Sequence, residues 1–101
     1  MQPKRSKPDD VAQEEAMAIA TEALAYIAGD GARLGRFLAE TGLGPGNLRQ
    51  AAKDPSFLPG VLDFVLSHER DLIDFAATAG IDEARVTRAR EVLAAPERRP
   101  S

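Results

Sequence analysis

Apolar residues along this chain recur at helical spacing, and the same arrangement occurs twice. The members of each matched pair are 38 residues apart, and the register holds without a gap. The pairs are Leu24/Leu62, Tyr26/Phe64, Ile27/Val65, Leu34/Leu72, Phe37/Phe75, Gly42/Gly80, Leu43/Ile81, Leu48/Val86 and Ala51/Ala89. A regular internal period indicates similar helical units that bury their apolar faces against each other. The pattern therefore predicts two pseudo-symmetric halves, at about residues 17–53 and 55–91, with three helices in each.

Short polar residues and glycines mark the expected ends of these helices. Side-chain oxygens of Asp and Ser accept hydrogen bonds from the free N–H groups of a first helical turn. We expect such N-caps at Asp10, Asp30, Ser56, Ser67 and Asp82. Glycine often follows the last helical residue, and the expected stops are Gly29, Gly42 and Gly80. These signals predict six helices, or five if residues 45–53 form only a turn.

The fourth expected helix, at residues 57–66, is apolar on nearly all sides. Asp63 is its only charged residue. A helix that is apolar all round is usually buried. We therefore expect it at the centre of a compact all-α bundle. In the following helix we expect Arg70 and Asp71 to point outward.

Chain length makes burial between the halves a physical requirement. The chain has 101 residues, the size of one domain. Each half is shorter than about 40 residues, below which a unit rarely buries enough apolar surface to fold alone. We assign residues 9–94 to a single helical domain, with flexible tails at 1–8, which is basic, and at 95–101.

The charge distribution argues against an anionic partner for most of the surface. The two tails hold five of the 13 basic residues and one of the 16 acidic ones, so residues 9–94 carry a net charge of −7. This charge repels nucleic-acid phosphates and anionic membranes. No apolar run approaches the ~18 residues of a membrane span, and residues 1–10 lack the apolar core of a signal peptide. Because the chain has no cysteine, we expect a cytoplasmic location.

Residue types that support catalysis or metal binding are scarce. His68 is the only histidine, and its neighbour Glu69 points to a different side of a helix. We find no His-x-x-x-His pair and no carboxylate–histidine pair that indicates a metal site. We therefore expect no enzymatic activity, no catalytic or metal-binding residue and no cofactor.

The second glycine turn has the spacing of a helix-turn-helix motif. Ala76, Gly80 and Val86 match the small residue, turn glycine and aliphatic residue of that class. The helix after Gly80 would then enter a DNA groove. Its candidate DNA contacts are Arg85, Arg88 and Arg90. Asp82 and Glu83 lie at the end of the helix that would approach the bases, and their charge opposes this alternative.

We favour an apolar surface that binds a protein partner. Helical pairs with apolar grooves commonly hold a partner helix. The candidate partner groove consists of Phe57, Leu58 and Phe64, although these side chains would equally fit a buried core. A homodimer would use the same surface. The sequence thus predicts a non-enzymatic protein-interaction module, with helix-turn-helix DNA binding as the alternative.

Several segments together resemble a known family. They are Ala23-Leu24-x-Tyr26-Ile27-Ala28, Leu34-x-x-Phe37-Leu38-x-x-x-Gly42, Asp54-Pro55-x-Phe57-Leu58 and Val61-Leu62-Asp63-Phe64-Val65-Leu66, followed by Glu69 and Phe75. Over about residues 15–93 the chain resembles a family of small bacterial helical proteins catalogued only as a domain of unknown function. The resemblance implies a compact bacterial cytoplasmic domain, and it supplies no catalytic or binding residues.

Overall fold

Six α-helices and one short 3₁₀ helix make up the part of the chain that the structure, a computed structural model, describes: residues 8–94. The α-helices are α1 (Pro8–Ala28), α2 (Gly31–Thr41), α3 (Leu48–Ala51), α4 (Phe57–Ser67), α5 (Glu69–Ala79) and α6 (Glu83–Ala94). The 3₁₀ helix, Pro45–Asn47, leads directly into α3. No strand occurs between residues 8 and 94. The predicted all-α bundle is confirmed, whereas the predicted tails lie outside the described residues.

The longest helix and the most apolar helix form the centre of the bundle. α1 packs against α2, α4, α5 and α6, and α4 packs against α1, α5 and α6. Six of the eleven residues of α4 are buried, namely Phe57, Pro59, Val61, Leu62, Phe64 and Val65. The predicted central position of α4 is therefore confirmed.

One hydrophobic core joins the segments before and after Asp54. Phe37 from α2 contacts two rings of α4 edge to face, with ring centroids 6.2 Å from Phe57 and 5.4 Å from Phe64. The same core contains Ala20, Ala23 and Ile27 of α1 and Val86, Ala89 and Leu93 of α6. Each segment thus covers the apolar side of the other, as the chain length required.

Two glycine turns have the same hydrogen-bonding pattern. Gly42 and Gly80 have φ angles of 77° and 72°, a left-handed conformation that favours glycine. The residue after each glycine donates its N–H to a carbonyl five residues back: Leu43 to Leu38 at 3.1 Å, and Ile81 to Ala76 at 3.0 Å. These are Schellman motifs. Gly29 differs from the prediction, because its φ is not positive although it follows α1 directly.

Only some of the predicted N-caps form. The Asp30 carboxylate accepts a hydrogen bond from the Ala32 N–H at 3.0 Å, and that of Asp82 accepts one from the Ala84 N–H at 3.3 Å. Asp10 was predicted to precede the first helix, but it lies inside α1.

Neither predicted serine makes a side-chain cap hydrogen bond: Ser56 occupies the N-cap position of α4 as predicted, whereas Ser67 lies inside α4 and His68 occupies the N-cap position of α5. The hydroxyl of Ser56 donates to Asp54, and that of Ser67 donates to the main-chain carbonyl of Asp63. The backbone N–H of Ser56 also donates to Asp54. These two bonds from Ser56 hold the pKa of the Asp54 carboxyl below its ordinary value.

The matched positions are similar in burial, but the third elements of the two halves differ. No apolar member of the 38-residue pairs is exposed. The third elements nevertheless differ in length, because α3 has four residues and α6 has twelve. Pro45 begins the short element, and Pro55 disfavours helical geometry at Asp54, so α3 cannot extend as α6 does.

Replacing Phe37 or Phe75 with alanine should destabilise the protein by similar amounts. Both rings are 1 % exposed. Each truncation should lower the free energy of unfolding by about 3–5 kcal/mol, because it removes apolar contacts and leaves a cavity. Urea unfolding followed by circular dichroism measures both. A large loss for one variant and none for the other would contradict the equivalence of these two positions.

Gly80→Ala should destabilise the protein and Gly35→Ala should not. Gly80 has φ 72°, so a Cβ there costs about 1–2 kcal/mol. Gly35 lies inside α2 and an added Cβ would meet nothing within 4 Å, so alanine should stabilise the helix by up to about 1 kcal/mol. Thermal unfolding of the two variants should therefore give shifts of opposite sign, and a loss of similar size in both would disprove the backbone argument.

Candidate functional site

A groove lies between α1 and the segment that connects α2 to α4. On the α1 side its wall consists of Gln13, Met17 and Leu24, and the opposite wall includes Leu48, Ala52 and Leu58. We call this feature the α1–α3 groove.

Two clefts that share Ala52 make up the groove. One cleft, of about 320 Å³, contains Gln13, Met17 and Leu58. The other cleft, of about 600 Å³, contains Leu24 and the residues from Pro45 to Arg49 that face it. Met17 and Leu24 are two helical turns apart, so the clefts follow one another along a single face of α1. From Gln13 to Leu24 the groove is about 17 Å long, given the rise of an α-helix.

The walls of the groove are largely apolar and partly open to solvent. Met17 is 44 % exposed, and Leu24, Leu48 and Leu58 are each half-buried. Two other large apolar side chains, Val11 and Ile73, are exposed to a similar degree, but neither belongs to this groove. Contiguous exposed apolar surface marks interaction sites, whereas isolated apolar residues on a surface are common.

The groove exists because the third element of the first half is short. Neither the 3₁₀ helix nor α3 contains a fully buried residue, and the turn after α3 ends at Pro55. This segment therefore packs only partly on the core, through Leu48 and Ala51. As a result, the Met17 side of α1 remains uncovered.

Basic side chains stand along one edge of the groove. Arg49 and Lys53 are exposed and line its two clefts. Within residues 11–93, neither of them takes part in an ion pair. Asp54 lines the same cleft as Lys53, and its carboxylate accepts hydrogen bonds from the backbone N–H and the hydroxyl of Ser56. The two basic residues therefore leave this edge with one positive charge in excess.

The predicted partner groove of Phe57, Leu58 and Phe64 is not an open surface. Phe57 and Phe64 are 8 % and 4 % exposed and belong to the core around Phe37. Leu58 is half-buried and lines the α1–α3 groove. Apolar spacing along α4 could not distinguish these positions, since the exposure of Leu58 depends on how α1 and α3 pack. Sequence reasoning missed Met17, whose only signal was its position beside the apolar stripe of α1.

Two of the three arginines proposed for DNA contact are paired with acidic residues. Arg85 forms an ion pair with Glu15 of α1. Arg90 makes two hydrogen bonds to Asp63 of α4, at 2.6 Å from Nε and 3.1 Å from Nη2. Arg88 is exposed and borders a small cleft between α1 and α6. The charges of Arg85 and Arg90 are therefore balanced within the bundle.

A polar cluster connects α1, α2 and α5 at a different part of the surface. Asp71, predicted to point outward, is 8 % exposed and faces two arginines of α2. Arg36 Nη2 donates to its carboxylate at 3.3 Å, and Arg33 Nε lies 3.7 Å from it. The prediction is wrong because α2 brings two cations to this side of α5, and paired charges can be buried where single ones cannot.

Tyr26 of α1 completes this cluster. The Arg33 guanidinium lies 4.0 Å from the centre of the Tyr26 ring and donates to the Tyr26 carbonyl at 3.0 Å. The Tyr26 hydroxyl donates to Asp74 at 2.7 Å. Burial raises the pKa of Tyr26 to about 12, and the bond to Asp74 contributes in the same direction.

His68 has a structural position at the junction of α4 and α5. Its Nδ1 lies 2.7 Å from the Phe64 carbonyl, and its Nε2 lies 3.0 Å from the Glu40 carboxylate. Its ring also packs against the ring of Phe64, with centroids 4.6 Å apart. Both ring nitrogens therefore have partners within the bundle. Among residues 11–93, no group of three or more His, Asp or Glu side chains has the geometry to hold a metal ion.

The fold and the groove define a small all-α domain with an open, largely apolar groove on its surface. A family model described as "Protein of unknown function (DUF3572)" matches residues 13–96. The chain belongs to this family, and the resemblance seen in its sequence is thereby confirmed. No curated protein and no solved structure matches the chain significantly. None of the helices between residues 8 and 94 combines the length and the apolar character needed to cross a membrane.

Alkaline titration should show that Tyr26 loses its proton far above pH 10. Tyr26 is the only tyrosine and the chain has no tryptophan, so tyrosinate absorbance reports this residue alone. Because the folded pKa is about 12 and the ordinary value is 10.0, folding favours the protonated phenol. The resulting stability is complete below pH 10 and is lost as the pH rises towards 12. Circular dichroism at each pH identifies the range in which the protein remains folded.

An Asp74→Asn variant is the control for this titration. It removes the negative charge near the phenol but leaves the ring partly buried. Its absorbance midpoint should fall while staying above pH 10, because burial is the larger cause of the shift. A wild-type midpoint near pH 10 in the folded protein would contradict the described environment of Tyr26.

Proposed function

We propose that this protein is a non-enzymatic interaction module that binds a protein partner through the α1–α3 groove. The observation that carries the proposal is the uncovered apolar face of α1 at Met17, opposite Leu58 and Ala52. A groove of this kind suits the apolar face of a partner helix. This groove differs from the partner groove expected at Phe57, Leu58 and Phe64, with which it shares Leu58 and the edge of Phe57.

The polar residues of the described region support a role without catalysis. A serine or histidine that acts in catalysis needs a reacting group within hydrogen-bonding distance of an open site. Ser56 and Ser67 instead donate to neighbouring residues of their own turns, and both nitrogens of His68 face bundle atoms. The clefts of the groove contain no histidine.

The DNA-binding alternative receives less support from the charges around α6. A phosphate contact by Arg85 or Arg90 would have to replace an existing contact with Glu15 or Asp63. The loss of these pairs would offset part of the gain, and the acidic body would still repel the duplex. Of the three candidate arginines, Arg88 alone is exposed and makes no ion pair with the described residues 11–93.

Met17→Glu should abolish capture of the natural partner from a lysate of the native cell. The carboxylate would place a charge in the apolar groove, and a charge that a partner buries without a counterion is strongly unfavourable. Ile73→Glu is the matched control, because Ile73 is 49 % exposed, similar to Met17 at 44 %, and lies on a different cleft. Quantitative mass spectrometry of captured proteins should show a species that is lost with Met17→Glu and retained with Ile73→Glu. Equal capture by both variants would reject the groove as the binding surface.

A duplex-DNA titration at several salt concentrations tests the alternative with the same protein samples. We expect no binding even at low salt. Affinity that rises steeply as salt falls, and that weakens in Arg85→Ala and Arg88→Ala variants, would instead support DNA binding through α6.

A further inference from the structure

We infer that the occupant of the α1–α3 groove is an amphipathic helix of about three turns with acidic residues along the flank that faces Arg49 and Lys53. This inference rests on the proposed function, since it specifies the partner of the same groove. Three features of the described residues support it: the position of α6, the composition of the groove walls and the charge of its edge.

The position of α6 shows how a helix is held beside α1. α6 packs on both α1 and α4, and it faces the side of α1 that carries Ala12, Ala16 and Ile19. The Met17 side of α1 faces the segment that contains α3, which aligns with α6 at an offset of 38 residues. Because α3 is only four residues long, residues 8–94 place no long helix on this second side of α1, where a partner helix would fit.

The walls of the groove favour a helix over an extended peptide. The α1 wall has side chains at helical spacing, from Gln13, Met17 and Leu24. Such side chains form ridges and grooves into which those of a second helix can pack. An extended peptide gains most from unpaired main-chain groups at a sheet edge, and residues 8–94 contain no strand. Met17 also has a flexible thioether side chain that adapts to different apolar partners.

The charge along the edge of the groove indicates which charge the partner carries on the flank that faces it. Inside the bundle, two arginines of α6 form ion pairs with the helices beside it: Arg85 with Glu15 of α1, and Arg90 with Asp63 of α4. At the groove the basic residues belong to the receptor, because Arg49 and Lys53 are exposed and make no ion pair within residues 11–93. A helix with Glu or Asp on the corresponding flank would supply partners for Arg49 and Lys53, whereas the nearby Asp54 already accepts two hydrogen bonds from Ser56.

A displayed library of helical peptides provides the test. Peptides of three to four turns, randomised at one apolar face and both flanks, are selected against the whole protein, and the selected peptides are titrated by fluorescence anisotropy. We expect apolar residues at positions i, i+3 or i+4 and i+7, with acidic residues enriched on one flank. Met17→Glu should abolish binding, and Ile73→Glu should leave it unchanged.

Reversing the charges of Arg49 and Lys53 then distinguishes specific pairing with the acidic flank of a peptide from a general attraction between opposite net charges. The Arg49→Glu/Lys53→Glu double variant should weaken the selected peptides by about tenfold. Peptides with Lys in place of the acidic flank should recover that affinity on the double variant. Arg70→Glu/Arg88→Glu makes the same change in net charge away from the groove and should have little effect.

Failure of the inference and failure of the proposed function give different results. The acidic-helix inference is overturned if the selected peptides are basic, lack helical periodicity or bind the Arg49→Glu/Lys53→Glu variant as well as the wild type. In that case the proposed function would still stand if capture of the natural partner remained sensitive to Met17→Glu. Dimerisation that is lost with Met17→Glu, measured by light scattering, would identify a second copy as the occupant and would also overturn it. If neither natural capture nor peptide binding depends on Met17, both proposals fail.

Discussion

The structure depends on the burial of α1 and α4 against each other. α1 supplies a face built largely from alanine and isoleucine, and α4 supplies aromatic and branched residues that face it. Because alanine leaves space above the helix, the large side chains of α4 and α6 can approach α1 closely. Without either central helix, the apolar face of the other would be exposed to solvent, because neither half is large enough to bury it alone.

The same central pair explains why the two sides of the molecule differ. On one side α6 extends across α1 and α4, and its arginines make ion pairs with both helices. On the other side, prolines confine the corresponding element to a 3₁₀ helix and four residues of α3. Similar apolar spacing therefore produces one covered side and one open side. Among the described residues, Met17 is the one large exposed hydrophobic side chain that lines the groove, and it lies on the open side.

Sequence reasoning predicted features set by local chemistry. The glycine turns at Gly42 and Gly80, the cap at Asp30 and the burial of α4 all follow from preferences within a few residues. It failed where distant segments decide the outcome. Asp71 is buried because two arginines of α2 reach it, and Leu58 differs from Phe57 because of how α1 passes nearby. The α1–α3 groove was not predictable, since it results from an element that is too short.

The contact between α1 and α6 has a consequence for synthesis on the ribosome. α1 is the first described helix to leave the exit tunnel, and its most extensive partner, α6, is the last. Until α6 emerges, the part of α1 that faces it, at Ala12, Ala16 and Ile19, remains exposed to solvent even if α2, α4 and α5 have already assembled. A nascent chain therefore completes this core only after α6 has left the tunnel, and until then a chaperone could bind the face that α6 later covers.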